Sequence, residues 1–240
     1  MSRRFTLIGR GRAGGSLHDA LAELGWECTS VFGRSDDVSH AATGVEVCVI
    51  ASNDDSVAEI ASNIQPGDAV VLHLSGALGL DVLAPHRAAG LHPLVSLADA
   101  TSGAKQLRSA WFAVAGDEIS ARMAEELSGR HFPIADENRA LYHATAAIAS
   151  NHLVALLGQV ERLARDLDIP FEVFLPLTHG SLGNVSNLGP SAALTGPAAR
   201  GDAETIAKHR AALAENHPDE VAAYDVLVDL ATRLAAQSSD

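Results

Sequence analysis

Two histidines in apolar surroundings are the first candidates for chemistry in this sequence. His92 stands in the stretch GLHPLVSLAD, residues 90–99, and His143 stands in LYHATAAIASNHLVAL, residues 141–156. The ordinary pKa of histidine lies near neutral pH, so a positioned imidazole can donate or accept a proton during a reaction. Each ring is a candidate catalytic group, and the alternative for each is a structural histidine whose nitrogens bond to protein groups.

Pro93 restricts the backbone of His92. A proline keeps the preceding residue out of the α region, so we expect His92 to be extended at the end of a strand. In an open α/β sheet, ligands bind at that end of the strands.

Asn151 lies eight residues after His143. On a regular helix this spacing places the two side chains about 80° apart and roughly 12 Å along the axis. Both could line one side of a cleft, because polar groups in an otherwise apolar helix need partners from backbone or a ligand. We therefore take Asn151 as a third candidate catalytic residue.

A glycine-rich turn near the N-terminus has the spacing of a dinucleotide site. In this spacing the first glycine makes a tight turn, the second admits a pyrophosphate, and the third lets helix and strand pack closely. The turn follows a strand pattern and opens a helix pattern, whose free N–H groups favour phosphates. Its residues are Gly9, Arg10, Gly11, Arg12, Ala13 and Gly14.

The end of the second predicted strand indicates which dinucleotide binds. NAD sites hold an acidic residue there for the ribose 2′-hydroxyl, but this chain has Gly33 followed by Arg34 and Ser35. A guanidinium and a hydroxyl suit a 2′-phosphate, so the sequence predicts NADP. The alternative for Arg34 is an ordinary surface arginine.

Strand and helix patterns alternate over the first half of the chain. Apolar β-rich runs at 4–8, 26–32, 45–51, 69–74, 111–115 and 131–134 are separated by helical patterns. This alternation predicts a doubly wound, mostly parallel α/β sheet over residues 1–137. No strand fits between residues 35 and 45, so we expect the third strand to pair with the first on the side opposite the second.

From residue 138 the pattern is helical throughout. Residues 139–168 are apolar on nearly all sides, which predicts a buried helix. Further helices are expected at 171–188, 202–215 and 219–237, with Asp202 as the N-cap of one of them. The sequence therefore predicts two domains, 1–137 and an all-helical 138–240.

Composition excludes several functional classes. The net charge of −13 opposes binding to nucleic acid. No apolar run approaches the roughly 18 residues that span a bilayer, and no signal peptide is evident, so we expect a cytoplasmic protein without a membrane partner. Cys28 and Cys48 lie in runs expected to be buried strands, too far apart for a disulfide and without metal-ligand spacing, so no metal is predicted.

Five ordered stretches resemble a group of Rossmann-like oxidoreductases related to the 6-phosphogluconate dehydrogenase superfamily, some members of which are NADPH-dependent ketopantoate reductases. The stretches are VIASNDDSV (49–57), VLHLSGALG (71–79), GLHPLVSLAD (90–99), LYHATAAIASNHLVAL (141–156) and ALTGPAARGD (193–202). The resemblance implies a nucleotide domain, a helical domain that forms a homodimer, and a substrate cleft between them.

The resemblance also assigns roles to residues outside the glycine turn. By resemblance, Ser75 and Gly76 would approach the nicotinamide or the substrate carboxylate. Ser52 and Asn53 are expected to touch the cofactor for another reason, since they follow a strand that ends beside the glycine turn. Thr195 and Arg200 would bind a small 2-oxo acid, with Arg200 able to clamp its carboxylate. Related enzymes use a lysine as the acid on the interdomain helix, but the only lysines here, Lys105 and Lys208, lie elsewhere.

Histidine is the expected substitute for that lysine, and the function implied is reduction of 2-dehydropantoate to pantoate. Two alternatives stay open. The Gly-Leu-His-Pro order also resembles prephenate dehydrogenases, and the missing lysine is compatible with a non-catalytic NADP sensor.

Overall fold

The computed structural model of the chain describes residues 3–97 and 100–237. It separates the chain into two compact units, Met1–Ser150 and Asn151–Asp240. The division falls after the predicted boundary at residue 137. The reason is that Arg139 and Tyr142 bond to Asp136 and His92, which ties the beginning of the long helical stretch to the first unit.

The first unit is built on a seven-stranded sheet. Its strands are β1 (Arg4–Ile8), β2 (Glu27–Phe32), β3 (Val47–Ile50), β4 (Val70–His73), β5 (Arg87–Leu94), β6 (Trp111–Gly116) and β7 (His131–Pro133). The spatial order is β2-β1-β3-β4-β5-β6-β7, and every neighbouring pair is parallel except β5 and β6. This confirms the predicted doubly wound, mostly parallel sheet.

Four helices connect strands of this sheet, namely α1 (Arg12–Glu23), α2 (Asp54–Asn63), α3 (Ala100–Leu107) and α4 (Ile119–Leu127). A fifth, α5 (Arg139–Ala147), follows β7, and 3-10 turns lie at Leu80–Leu83 and Asp136–Asn138. Along β1 and β3, alternate side chains enter two separate cores. Leu7 and Val49 pack on one face, while Ile8 and Ile50 pack on the other. Burial on both faces explains why these strands are apolar throughout.

The connection between β2 and β3 contains turns but no strand or helix, so β3 pairs with β1 and β2 forms the edge of the sheet. Cys28 and Cys48 lie on opposite sides of β1 and are free thiols. Cys48 is buried as expected, and burial raises the pKa of its thiol to about 11. The expectation of a buried strand is wrong for β2, where Cys28 is half-buried, because an edge strand has a neighbour on one side only.

The second unit consists of helices, which confirms the all-helical prediction for this part of the chain. They are α6 (Leu153–Asp166), α7 (Leu175–Leu188), α8 (Pro190–Ala193), α9 (Pro197–Arg200), α10 (Ala203–Asn216) and α11 (Val221–Ala236). A π turn, Ile148–His152, precedes α6, and 3-10 turns precede α7 and α11. The predicted N-cap is confirmed, because Asp202 Oδ1 accepts a hydrogen bond from the Thr205 N–H at 3.0 Å.

The prediction that residues 139–168 form a buried helix is wrong for the single chain. Leu141 on α5 is 73% exposed, Ile148 in the π turn is 60% exposed, and Val154 on α6 is 68% exposed. Apolar composition on all sides of a helix indicates that the helix needs a cover. It does not show that the same chain provides that cover.

The expectation that no segment could span a bilayer also needs correction. Helical residues Asp136–Asp166 are long and apolar enough to cross a membrane, by length and composition alone. The strictly apolar runs are interrupted by His143, Asn151 and other polar residues, but residues 140–160 contain no charged side chain. The mean hydropathy of a window is therefore high even where each apolar run is short.

Candidate functional site

The glycine turn lies between the carboxyl ends of β1 and β3, where the strand order reverses direction. Gly9 has a φ of +93°, and a Cβ there would lie 2.7 Å from the Ala51 carbonyl oxygen. A Cβ on Gly14 would overlap the Gly9 carbonyl oxygen and lie 2.8 Å from the Ala51 Cβ. These two glycines are required by the packing of the turn, in agreement with their predicted roles.

Gly11 differs from its two neighbours in the motif. It precedes α1 with an extended backbone, and a Cβ there would meet no heavy atom within 4 Å. Open space beside the first N–H groups of a twelve-residue helix suits a phosphate. Arg10 and Arg12 are exposed on the same turn, and Ala13 is half-buried in the first turn of α1. The geometry of the turn is therefore compatible with the dinucleotide site that its glycine spacing predicts.

An open cleft of about 460 Å³ lies beside this turn. Four residues that the sequence predicts for cofactor binding line it, namely Gly9, Arg34, Ser52 and Asn53. Ser35 is exposed on the same loop but is not among the lining residues. The ends of three adjacent strands therefore bring most of the predicted adenosine-side residues together.

Asp36 is a lining residue that the sequence analysis missed. Its Oδ2 accepts a hydrogen bond from the Gly33 N–H at 2.7 Å, which holds a carboxylate within the loop that also carries Arg34. The NADP prediction rested on Gly33, Arg34 and Ser35. Asp36 stands three residues after Gly33 and folds back onto its N–H, and the available signal was the tendency of Asp side chains to accept hydrogen bonds from nearby backbone.

A second group of predicted residues meets at Gly76, in the loop that follows β4. A Cβ on Gly76 would lie 2.8 Å from His143 Nδ1, 2.8 Å from His92 Cε1 and 2.9 Å from His92 Nε2. The two imidazole centroids are 6.1 Å apart. Although 51 positions separate them in sequence, both candidate proton carriers thus face the same glycine.

The surroundings of His92 determine its protonation. It is extended within β5, as Pro93 predicts, and the strand continues to Leu94. Its Nδ1 lies 2.6 Å from the Tyr142 hydroxyl oxygen. Burial, followed by the nearby His143 and Arg139, lowers the pKa of His92 to about 4. His92 is therefore a neutral imidazole near pH 7.

Arg139 and His73 form a buried polar layer beside this pair, which the sequence analysis also missed. Arg139 is 2% exposed, and its Nε donates to Asp136 Oδ1 at 2.8 Å. His73 is fully buried, and burial is the main cause that lowers its pKa. Within the described part of the chain, Arg139 Nη2 and His73 Nδ1 have no hydrogen-bond partner. The layer therefore keeps a positive charge close to His92.

Ser75 organises the loop that carries Gly76. Its Oγ accepts hydrogen bonds from the N–H groups of Ala77 and Leu78, both at 3.1 Å. The hydroxyl proton is not used in these two bonds. Ser75 therefore fixes the loop and keeps a donor for a ligand, which is compatible with its predicted role.

The remaining predicted residues belong to the second unit. Asn151 lies in the π turn, so the regular α-helical angle of about 80° from His143 does not apply to it. Thr195 lies in the loop between α8 and α9, and Arg200 is the last residue of α9. Both are exposed. The catalytic role of Asn151 and the substrate-binding roles of Thr195 and Arg200 stay predictions.

Over residues 3–97 and 100–237, no group of three or more histidine, cysteine, aspartate or glutamate side chains is placed to hold a metal ion.

Comparison with solved structures defines the class of fold. A Bacteroides fragilis protein provisionally named an NADP oxidoreductase is 22% identical, with a TM-score of 0.80 over 96% of this chain and 98% of that one. A Thermotoga maritima protein is 24% identical, with a TM-score of 0.79 over 98% and 100%. The NADP-bound pyrroline carboxylate reductase of Plasmodium falciparum is 10% identical, with a TM-score of 0.62 over 97% and 98%. The chain therefore has a Rossmann-type dehydrogenase fold with a helical C-terminal part.

A family model gives a more specific assignment. The model described as "Domain of unknown function (DUF2520)" matches residues 111–230, which is half of the chain. The protein belongs to this family. A search among curated proteins found no match to this chain.

Proposed function

We propose that the protein is an NADPH-dependent reductase of a small 2-oxo acid, with 2-dehydropantoate as the leading substrate. The observation that carries this proposal is the convergence of two imidazoles on Gly76. The same unit contains the glycine turn, in which Gly11 has open space beside it while Gly9 and Gly14 are closely packed. Oxidoreductases among the proteins of similar fold support the reaction class. The sequence resemblance supports the choice of substrate.

Different residues of the chain would bind different parts of the cofactor. The N–H groups at the start of α1 and the space at Gly11 would take the pyrophosphate. Arg34 would pair with the 2′-phosphate, and Ser52 and Asn53 would contact the adenosine side in the cleft. When bound, NADPH supplies the hydride that reduces the carbonyl carbon of the 2-oxo acid.

The two histidines have different tasks in this proposal. His143 is exposed and can regain a proton from water, so it would protonate the carbonyl oxygen as the hydride arrives. His92 is neutral near pH 7 and would donate a hydrogen bond to the same oxygen.

Three measurements on the purified protein test the proposal. Calorimetry should show NADPH binding, and absorbance at 340 nm should show oxidation of NADPH when 2-dehydropantoate is added. Prephenate with NADP⁺ or NAD⁺ should give no reduction of the nucleotide. NADPH binding without turnover of any 2-oxo acid would instead favour a sensor, while absence of NADPH binding would contradict both proposals.

Arg34 provides a test of cofactor preference. We expect Arg34→Ala to raise the Kd for NADPH by about tenfold or more, because it removes the cation nearest the 2′-phosphate. The Kd for NADH should change little, since NADH has a hydroxyl at that position. Arg233→Ala, which removes an exposed arginine on α11, is the matched control. Equal losses for the two nucleotides in Arg34→Ala would refute the assignment of NADP.

The exposed apolar surface of the long helical stretch supports a second proposal, that two copies of the chain form a homodimer. Leu141, Ile148 and Val154 are each more than half exposed, and a second copy would cover them. We expect light scattering to give the mass of two chains and Val154→Glu to give the mass of one. A wild-type monomer that sediments with phosphatidylcholine vesicles would show that lipid covers this surface instead.

A further inference from the structure

His92 contacts a residue that has no assigned role, Tyr142 on α5. The Tyr142 hydroxyl oxygen lies 2.6 Å from His92 Nδ1, and the two rings meet edge to face with centroids 5.5 Å apart. Phe132 on β7 also meets the tyrosine ring edge to face, at 5.8 Å between centroids. Two strands and one helix therefore fix the position of the phenol.

The direction of this hydrogen bond decides where the proton of the neutral imidazole lies. Tyr142 is half-buried, and burial raises the pKa of its hydroxyl to about 12, so the phenol keeps its proton. Across residues 3–97 and 100–237, His92 Nδ1 is the one hydrogen-bond partner of this hydroxyl. The Tyr142 hydroxyl therefore donates its proton to His92 Nδ1, because leaving a half-buried donor without a hydrogen bond costs free energy.

The opposite edge of the His92 ring faces the candidate site. A Cβ on Gly76 would lie 2.9 Å from His92 Nε2 and 2.8 Å from His143 Nδ1. The absence of a side chain at residue 76 therefore lets both nitrogens pack closely against the Gly76 backbone. When Nδ1 accepts from Tyr142, the single ring proton of His92 is on Nε2, the edge of the ring that faces Gly76.

We propose that Tyr142 is a positioning residue that donates its hydroxyl proton to His92 Nδ1 and thereby holds the imidazole as the Nε2–H tautomer, directed at the carbonyl oxygen of the substrate. The catalytic part of this inference rests on the proposed reductase function. The tautomer itself does not, since it is a property of the protein without substrate. The charged and titratable groups near His92 are His143, Arg139, Asp54 and His73.

Nitrogen-15 NMR of the imidazole rings tests the tautomer directly, with the His92 signals assigned by their loss in His92→Gln. We expect the wild-type protein near pH 7 to show His92 with its proton on Nε2. In Tyr142→Phe the Nδ1–H form should become detectable, because the ring keeps its packing but loses the donor. The matched control is Tyr224→Phe, since the Tyr224 hydroxyl lies 3.0 Å from His209 Nδ1 on the surface of the second unit. This control should leave the His92 signals unchanged.

Kinetics test the positioning role. Tyr142→Phe should lower kcat for 2-dehydropantoate about tenfold, because it removes one hydrogen bond that orients the imidazole. The Kd for NADPH should stay within about twofold of the wild-type value, which also shows that the variant is folded. Tyr224→Phe should keep the wild-type kcat.

Two results would overturn the proposal. One is a wild-type His92 that carries its proton on Nδ1, which would mean that the imidazole donates to Tyr142. The other is a Tyr142→Phe variant with an unchanged tautomer or an unchanged kcat. Failure of the reductase function is distinguishable from both, because it would appear as a wild-type protein that reduces no 2-oxo acid.

Discussion

Replacing Gly11 by alanine is expected to weaken NADPH binding by about tenfold or more, which corresponds to ~1.4 kcal/mol, without lowering Tm. A Cβ at this position meets no protein atom within 4 Å, and the φ of −72° suits any residue. The folded protein should therefore accept the methyl group. The pyrophosphate should not, because it would need the same space beside the first N–H groups of α1.

Gly14→Ala is the matched contrast to this variant. Its methyl group would overlap the Gly9 carbonyl oxygen and crowd Ala51, so we expect a loss of stability on the order of 2 kcal/mol. Thermal unfolding and calorimetry on both variants separate the two roles. If Gly11→Ala binds NADPH as tightly as the wild type, the phosphates do not lie at this turn.

Removing the imidazole of His143 is expected to have the largest effect on turnover. His143→Gln should lower kcat by about 10²- to 10³-fold, because glutamine cannot transfer a proton. His92→Gln should lower kcat less, by about tenfold, since an amide N–H can still donate a hydrogen bond. In both variants the Kd for NADPH should stay close to the wild-type value.

His179→Gln is the control for this series, because it removes an exposed histidine on α7. Steady-state kinetics with 2-dehydropantoate and calorimetry with NADPH give the two readouts. A larger loss in His92→Gln than in His143→Gln would reverse the proposed roles of the two histidines. Unchanged turnover in both would exclude them as catalytic groups.

The sheet and the dinucleotide turn could be predicted because local patterns determine them. Continuous apolar runs indicate strands covered on both faces, and Gly9, Gly11 and Gly14 are spaced as the turn requires. The short connection after β2 also indicated correctly that β3 pairs with β1. Each of these signals lies within about ten residues of the feature that it predicts.

The partners of the histidines could not be predicted, because fifty positions separate His92 from Tyr142 and no local pattern joins them. Arg139 is the first residue of α5, and no local pattern indicates that its guanidinium is buried beside His73. The exposure of Leu141 and Val154 was missed for a related reason. Periodicity describes the surface of a helix and contains no information about which molecule covers it.

The position of β2 at the end of the sheet affects the behaviour of the protein at high concentration. Within the described residues β2 pairs with β1 alone, so its other side has no neighbouring strand. Such edges are templates for intermolecular β-pairing and for fibril growth. Glu27, Thr29 and Ser30 supply polar side chains along this strand. These residues therefore limit self-association, and they are positions where apolar substitutions would make the protein prone to aggregate on storage.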